Sequence, residues 1–199
     1  MIIERNDWGS IYMSSDDNSR KVILDLAVTL DGLIEGENGE IDWCIMDPEM
    51  NFDDFLNQVD TIFYGRKSYE AWGDFQPSLE DSEDDKLMWK NIHAKEKYVF
   101  SKKFKFEDKH VNVIKDNIVE HVNEIKSKPG KDIWLYGGSS LITTFVNYGL
   151  VDEYRLSIHP IVLGKGKPLF IDIEDRQQLK LVHSRKFKSG VIQLIYHNE

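Results

Sequence analysis

The 199-residue chain contains one cysteine, Cys44, so no disulfide can close within it, and a reducing cytoplasm is the expected location. No apolar run approaches the roughly 20 residues that a helix needs to cross a bilayer, and the first residues lack a basic start followed by an apolar core, so neither membrane insertion nor secretion is expected. Positive charge is scarce. Lysine and arginine number 25 against 35 aspartates and glutamates, and the formal net charge of −10 argues against general binding to nucleic acid or anionic lipid. The six histidines are scattered without metal-ligand spacing, so no metal is expected. No Gly-x-Ser-x-Gly elbow occurs, and Cys44 carries no sign of activation. Gly164-Lys165-Gly166-Lys167 lacks the strand-to-helix setting of a P-loop. What remains is the composition of an ordinary globular domain, 41% hydrophobic and 30% charged.

The most informative stretch is DIWLYGGSSLITTFVNY, residues 132–148. Residues 133–136 form the short apolar run of a strand buried on both faces. Gly137 and Gly138 follow at once, and Leu141, Ile142, Phe145 and Val146 then recur at helical spacing, with Ser139 or Ser140 as the expected cap. Glycines let a backbone approach a bulky anion, and a helix start attracts one through its free N–H groups and dipole. The alternative is an ordinary tight turn.

The rest of the chain follows a strand–helix alternation. Residues 1–20 read as a loosely ordered extension in which Trp8, Ile11 and Tyr12 could dock locally, and residues 21–199 as one domain. Residues 22–28 form a central strand interrupted only by Asp25, and Asp31-Gly32 is a turn signal. Asp47 and Pro48 look like a helix start, with Phe52, Phe55, Leu56 and Val59 as its apolar face. Further strands are expected at 61–64, 97–101 and 111–114, and helices at 86–94 and 118–127. After Tyr148 come a long alternating strand at 152–162 and a closing antiparallel pair at 179–187 and 191–197. Strands alternating with helices, followed by a β-rich C-terminal tail, indicate an α/β three-layer sandwich. Its central sheet is mixed and mostly parallel, with helices on both faces. The tail also offers a surface for homodimer formation.

Three strand ends share a chemistry: Gly65-Arg66-Lys67-Ser68, Ser101-Lys102-Lys103 (with Lys105 beyond), and Gly137-Gly138-Ser139-Ser140. In a mostly parallel sheet such ends line the crevice where ligands bind. Singly, Arg66 and Lys67 read as a solvated helix start and the lysines as a surface run. Three such ends in one acidic chain point to a dinucleotide.

These motifs also carry a family likeness. VILDLAVTLDG (22–32), IDW (41–43), GRKSYE (65–70), VFSK (99–102), LYGGSSL (135–141) and DEYRLSIHPIVLGKGKPLF (152–170) occur in an order similar to the dihydrofolate-reductase-like superfamily. The chain most resembles the reductase (C-terminal) domain of the bifunctional deaminase-reductase of riboflavin synthesis, over residues 21–197. The resemblance implies an enzyme that uses NADPH to reduce a pyrimidine- or pterin-like small molecule by hydride transfer, as 5-amino-6-(5-phosphoribosylamino)uracil reductase does. Residues Gly65, Arg66, Lys67 and Ser68 would hold the pyrophosphate and 2′-phosphate end, and Ser101 and Lys102 the adenosine ribose and its phosphate. Gly137, Gly138, Ser139, Ser140 and Leu141 would wrap the pyrophosphate, with Ala27, Thr29 and Trp43 near the nicotinamide. For Trp43 an aromatic lid on the core is the competing role.

The chain also departs from that pattern. Tyr136 stands where the riboflavin reductases carry a glutamate before the paired glycines, and Leu33 where they often carry a basic residue. After GRKSYE the chain reads Asp74-Phe75-Gln76-Pro77 in place of an arginine-bearing loop for a ribose phosphate. Candidate proton donors are Asp47, Glu49, Tyr136 or water. The alternatives to a riboflavin-type reductase are a dihydrofolate reductase, which needs a buried acid facing the pterin, and a non-catalytic NADPH-binding protein.

Overall fold

A computed structural model describes residues 19–103 and 111–199, together with two strands near the start, β1 (Ile3–Arg5) and β2 (Ile11–Met13). Trp8 and Lys105 lie outside the described residues. β1 and β2 pair antiparallel with each other. Arg20, just ahead of the strand Val22–Thr29, ties the chain to the strand Val59–Gly65 and to the start of the strand Asp132–Gly137. This side chain is buried, and its guanidinium binds the Asp60 carboxylate, the Thr61 hydroxyl at 2.5 Å and the Lys131 carbonyl.

In chain order there follow β3 (Val22–Thr29), β4 (Leu33–Glu35), a 3-10 turn (Pro48–Met50), α1 (Phe52–Gln58), β5 (Val59–Gly65) and α2 (Arg66–Trp72). Next come α3 (Glu83–His93), β6 (Glu96–Phe100), β7 (Asn112–Ile114), α4 (Ile118–Ser127), β8 (Asp132–Gly137) and α5 (Ser139–Asn147). The chain closes with β9 (Glu153–His159), β10 (Lys167–Pro168), β11 (Leu179–Lys186) and β12 (Ile192–Asn198). One eight-stranded sheet runs β11-β12-β9-β3-β8-β5-β6-β7. Its pairings are parallel except β12 with β9 and β11. This is the mixed, mostly parallel sheet with a β-rich tail expected from the sequence.

Helices cover both faces, which is why the inner strands are apolar on alternate and intervening positions alike. Val22, Ile23, Leu24, Ile62, Phe63, Ile133 and Leu135 are all fully buried. On one face α4 and α5 pack Val122, Ile125, Leu141, Ile142 and Phe145 against Phe63, Leu135 and Phe100. The Phe145 ring meets Phe63 and Phe100 edge-on, 5.8 and 5.3 Å between centroids. On the other face α1, α2 and α3 bring Phe55, Leu56, Tyr69 and Ile92 against Ile23, Ile62 and Trp134.

Several boundaries differ from the sequence reading. The helix expected to start at Asp47-Pro48 is split into a 3-10 turn (Pro48–Met50) and α1 from Phe52, because Asn51 between them is left-handed (φ 50°), and Val59 opens β5 instead of joining the helix face. α3 starts at Glu83 rather than Lys86, because the Ser82 hydroxyl caps it by accepting from the Asp85 N–H (3.1 Å). Glu83, Asp84 and Asp85 then sit in the first turn, where the helix dipole favours acids. β9 ends at His159, because the next residue, Pro160, has no N–H to extend a ladder.

Among the described residues, the Tyr64 hydroxyl is buried with no hydrogen-bond partner. An unpaired buried hydroxyl carries its desolvation cost uncompensated. Tyr64→Phe is therefore expected to raise the urea midpoint, corresponding to about 1 kcal/mol. A loss of that size would mean that the hydroxyl is paired.

Candidate active site

β3 and β8 pair only at Val22 with Ile133 and Ile23 with Trp134. Beyond that point β3 stays with β9 as far as Thr29, while β8 stays with β5 as far as Gly137. The Trp134 indole N–H donates to the Asp25 carbonyl (3.0 Å), satisfying an acceptor that the lost ladder no longer reaches. The divergence opens a cleft of about 1570 Å³. That exceeds the roughly 300–1,000 Å³ of a site for one drug-sized ligand and leaves room for two molecules side by side.

One end of the cleft is built from glycine and cations. Gly65, at the end of β5, is the N-cap of α2, and Gly138, after β8, is the N-cap of α5; neither helix has a side-chain cap. The expected serine cap is absent because the Ser139 hydroxyl donates to the Pro168 carbonyl (2.6 Å), leaving the α5 start open. Gly137 sits at φ +95°, a conformation that favours glycine. A Cβ on Gly138 would lie 3.0 Å from Lys167 Nζ and 3.3 Å from Ser68 Oγ. The paired glycines thus hold open a space that an amine and a hydroxyl already face. Lys167 reaches it because β10 pairs with β4, and Gly166 lets the two backbones touch: a Cβ there would overlap the Glu35 carbonyl at 2.1 Å. Glu35 lies 3.3 Å from the lysine nitrogen.

The floor of the cleft is the sheet itself. In register, Asp25 lies opposite Arg155, which lies opposite Ile195; Ala27 lies opposite Ser157, which lies opposite Gln193. Every one of these residues lines the cleft. Arg155 is gripped by Glu153 (2.5 Å), by the side-chain oxygen Oε1 of Gln58 (3.3 Å) and by the Phe55 ring (5.1 Å to its centroid). Glu153 is bonded in turn to His197 Nε2 (3.1 Å). The Asp25 carboxylate lies 3.7 Å from Arg155 Nε and has no hydrogen bond among the described residues. Burial pushes its pKa up to about 7; Arg155 opposes the shift, and Glu153 adds to it.

The RibD C-terminal domain family matches residues 20–193. The chain belongs to that family. It is 62% identical to the "uncharacterized protein YyaP" of Bacillus subtilis over 185 residues, 93% of this chain and 98% of that one. A Shewanella sp. PV-4 protein, named as a candidate riboflavin biosynthesis protein, shares the fold at TM-score 0.74 and 23% identity, covering 90% and 99% of the two chains. Dihydrofolate reductase from Enterococcus faecalis shares it at TM-score 0.62 and 16% identity, covering 90% and 96%. The fold is therefore dihydrofolate-reductase-like.

Of the residues that the sequence singled out, Ala27, Lys67, Ser68, Gly138, Tyr136 and Asp47 line the cleft. Gly65, Gly137 and Leu141 support its edge; Leu141 is buried in the core behind it. Ser140 is exposed on α5. Thr29 builds the turn instead, donating to Asp31 (2.6 Å) and accepting from the Leu33 N–H (2.9 Å). Trp43 is buried with its indole N–H on the Glu40 carbonyl (3.2 Å) and its ring edge-on to His159 (5.4 Å). That arrangement matches the lid-on-the-core role. Arg66 is paired with Glu70 on the surface of α2 (2.7 Å), and Ser101 and Lys102 follow β6. Phe100, the last residue of β6, lies opposite Gly65, so these residues emerge beside the α2 start.

Among the acids, Asp47 caps the 3-10 turn by accepting from the Glu49 N–H (2.9 Å). Glu49 lies outside the cleft lining and pairs with Lys188 (2.7 Å). Tyr136 packs against Tyr64 and Trp134, and burial pushes its phenol pKa well up. Burial likewise raises the Cys44 thiol to about 11, so it is no thiolate at neutral pH. Among the described residues no group of three or more histidine, cysteine, aspartate or glutamate side chains could hold a metal ion, and no helix is long and apolar enough to cross a membrane. Asp25, Arg155 and Lys167 were not among the expected site residues. Only Asp25 left a signal, as the single polar break in an apolar strand; the other two reach the cleft through tertiary pairing.

The raised pKa of Asp25 has a consequence for stability. The folded state holds this proton more tightly than the unfolded chain, so its contribution is complete below the unfolded value near 3.8 and is lost as pH rises to about 7. Asp25→Asn removes that loss. Each tenfold change in proton affinity is worth about 1.4 kcal/mol, so at pH 8 the variant is expected to be more stable than the wild type by up to about 4 kcal/mol. The gain should vanish at pH 4. Denaturant unfolding of both proteins at the two pH values measures it, and an equal difference at both would place the Asp25 pKa in the ordinary range.

Proposed function

We propose that the protein is an NADPH-dependent reductase that acts on a pyrimidine- or pterin-like small molecule, of the 5-amino-6-(5-phosphoribosylamino)uracil reductase type. The observation that carries this reading is the cradle at Gly138, where an uncapped helix start, Ser68 and Lys167 converge on a space that only glycine leaves open. Backbone N–H groups, a hydroxyl and an ammonium suit a pyrophosphate. The relative from Enterococcus faecalis is described as complexed with NADP(H), which agrees with such a cradle in this fold.

When bound, a reduced nicotinamide supplies the hydride; the protein's part is to hold it against the acceptor. In this chain Gly138, Ser68 and Lys167 would hold the pyrophosphate, and Ala27 would leave the floor of the cleft flat beneath the ring. Arg66, Ser101 and Lys102, at the neighbouring ends of β5 and β6, would take the 2′-phosphate. The Arg66–Glu70 pair does not prevent this. An exposed i,i+4 pair contributes about 0.3–0.5 kcal/mol, against about 1.5–3 for a charge-assisted bond to phosphate. The apolar side of the cleft, with Phe52, Phe55, Trp134 and Tyr136, suits a flat ring. A dihydrofolate reductase is the second reading, favoured by the buried Asp25 carboxyl facing that same space.

Calorimetric titration with NADPH and NADH tests the cofactor site. Gly138→Ala is expected to weaken both cofactors roughly tenfold or more (about 1.4 kcal/mol). Its melting temperature should hold, because the Lys167 end that its Cβ meets can swing away. Arg66→Ala is expected to weaken NADPH by roughly ten- to a hundredfold and leave NADH nearly unchanged. Equal losses for both cofactors in Arg66→Ala would move that arginine to the pyrophosphate. A wild-type protein that binds neither cofactor would overturn the function. Turnover with 5-amino-6-(5-phosphoribosylamino)uracil and with dihydrofolate separates the two substrate readings.

A further inference from the structure

Among the described residues, the cleft contains one buried acid whose carboxyl makes no hydrogen bond. Asp47 is committed to its turn, Glu35 to Lys167, and Glu153 to Arg155 and His197. Asp54, on α1, and Glu37 are exposed. Asp25 differs from all five: its side chain is only 11% exposed, it is tethered through its backbone by Trp134, and its carboxyl has no hydrogen bond among the described residues. Arg155 at 3.7 Å does not take it up, because Glu153, Gln58 and Phe55 already fix that guanidinium. Asp25 and Ala27 both line the cleft from one face of β3, about 7 Å apart along the strand. That separation is about one ring from the floor position assigned to the nicotinamide.

Resting on the reductase reading above, we propose that Asp25 is the proton donor of the reaction, delivering the proton of its carboxyl to the nitrogen of a C=N bond as the adjacent carbon is reduced. The acceptor carbon takes a hydride and its electron pair from the reduced nicotinamide and forms a C–H bond. The π pair of the C=N bond moves to nitrogen, which takes the proton as the Asp25 O–H bond breaks. The product is CH–NH, the nicotinamide is left oxidised, and the Asp25 carboxylate regains its proton from water.

The surroundings of Asp25 fit a donor at neutral pH. A general acid acts best when its pKa lies near the working pH, and burial brings Asp25 to about 7. Tyr136, on β8, is pushed well above its ordinary range and is the weaker acid. The other charged or titratable groups in the cleft near this floor are Arg155 with Glu153 behind it, Asp54 on α1, His159 on β9, and His183 and Arg185 from β11. Of these, His159 and His183 are histidines; burial lowers the His159 pKa, and each needs its own control.

Three measurements on the full chain decide the proposal. Carbon NMR of aspartate-labelled protein should show one carboxyl titrating near pH 7, absent from Asp25→Asn and retained in His159→Gln and His183→Gln. NADPH affinity should agree within about twofold between Asp25→Asn and the wild type, because the residue lies away from the phosphate cradle. Turnover with dihydrofolate or with 5-amino-6-(5-phosphoribosylamino)uracil, whichever the wild type reduces, should fall roughly a hundred- to ten-thousandfold in Asp25→Asn. The wild-type kcat should decline above pH 7, and that limb should disappear in the variant. A wild-type rate in Asp25→Asn, or an Asp25 carboxyl titrating below pH 5, overturns the proposal. A wild-type protein that binds NADPH but reduces neither acceptor removes the reductase reading and the proposal with it, a result that variants of Asp25 cannot produce.

Discussion

The separation of β3 from β8 after two paired residues is the constraint on which the site depends. A parallel sheet gains from continuing its ladder, and unpaired backbone groups inside a protein must find other partners. Here the partner is a side chain, the Trp134 indole on the Asp25 carbonyl. One bulky residue therefore terminates the pairing, satisfies the exposed acceptor and, with Phe52 and Phe55, walls the resulting space. The two halves of the sheet diverge around the cleft.

Charge is distributed to match. The protein is acidic overall, yet amines and hydroxyls gather at the glycine end of the cleft, and an arginine is locked into the floor. Arg155 is more than a counterion for Asp25. Glu153 holds it in place, so it offsets only part of the cost of burying the second carboxyl, and Asp25 remains protonated at pH values where surface aspartates have long ionised. Removing Glu153 would free Arg155 to pair fully with Asp25 and lower the Asp25 pKa. The acidity of the site is thus set by competition for one guanidinium.

The four inner strands, the glycine turn and the helix after it were legible because each is announced locally, by a short apolar run, by Gly137-Gly138, or by spacing at helical period. Ala27, Ser68, Lys67 and Gly138 were legible for the same reason: they sit at or near the ends of recognisable strands. Lys167 was not, because its loop has no helix after it; it becomes a cleft residue only when Gly166 lets β10 lie against β4. Arg155 looked like an ordinary alternating position of a tail strand. Glu49, read as an acid near the first helix, turns out to pair with Lys188, a residue 139 positions away.

By itself, then, the sequence determined the strand–helix order, the apolar faces and the glycines at the strand ends, since these follow from periodicity and backbone sterics within a few residues. Which side chains face one another was decided by tertiary structure alone. The register of β3 with β9 sets Asp25 against Arg155, and the parting of β3 from β8 exposes that pair to a cleft. Both depend on how strands far apart in the chain align, and a shift of one residue would turn Asp25 to the opposite face of the sheet. The residue that broke the pattern of an apolar strand was visible from the start. Its chemistry was not, because a carboxyl group acquires its pKa from neighbours that only the fold supplies.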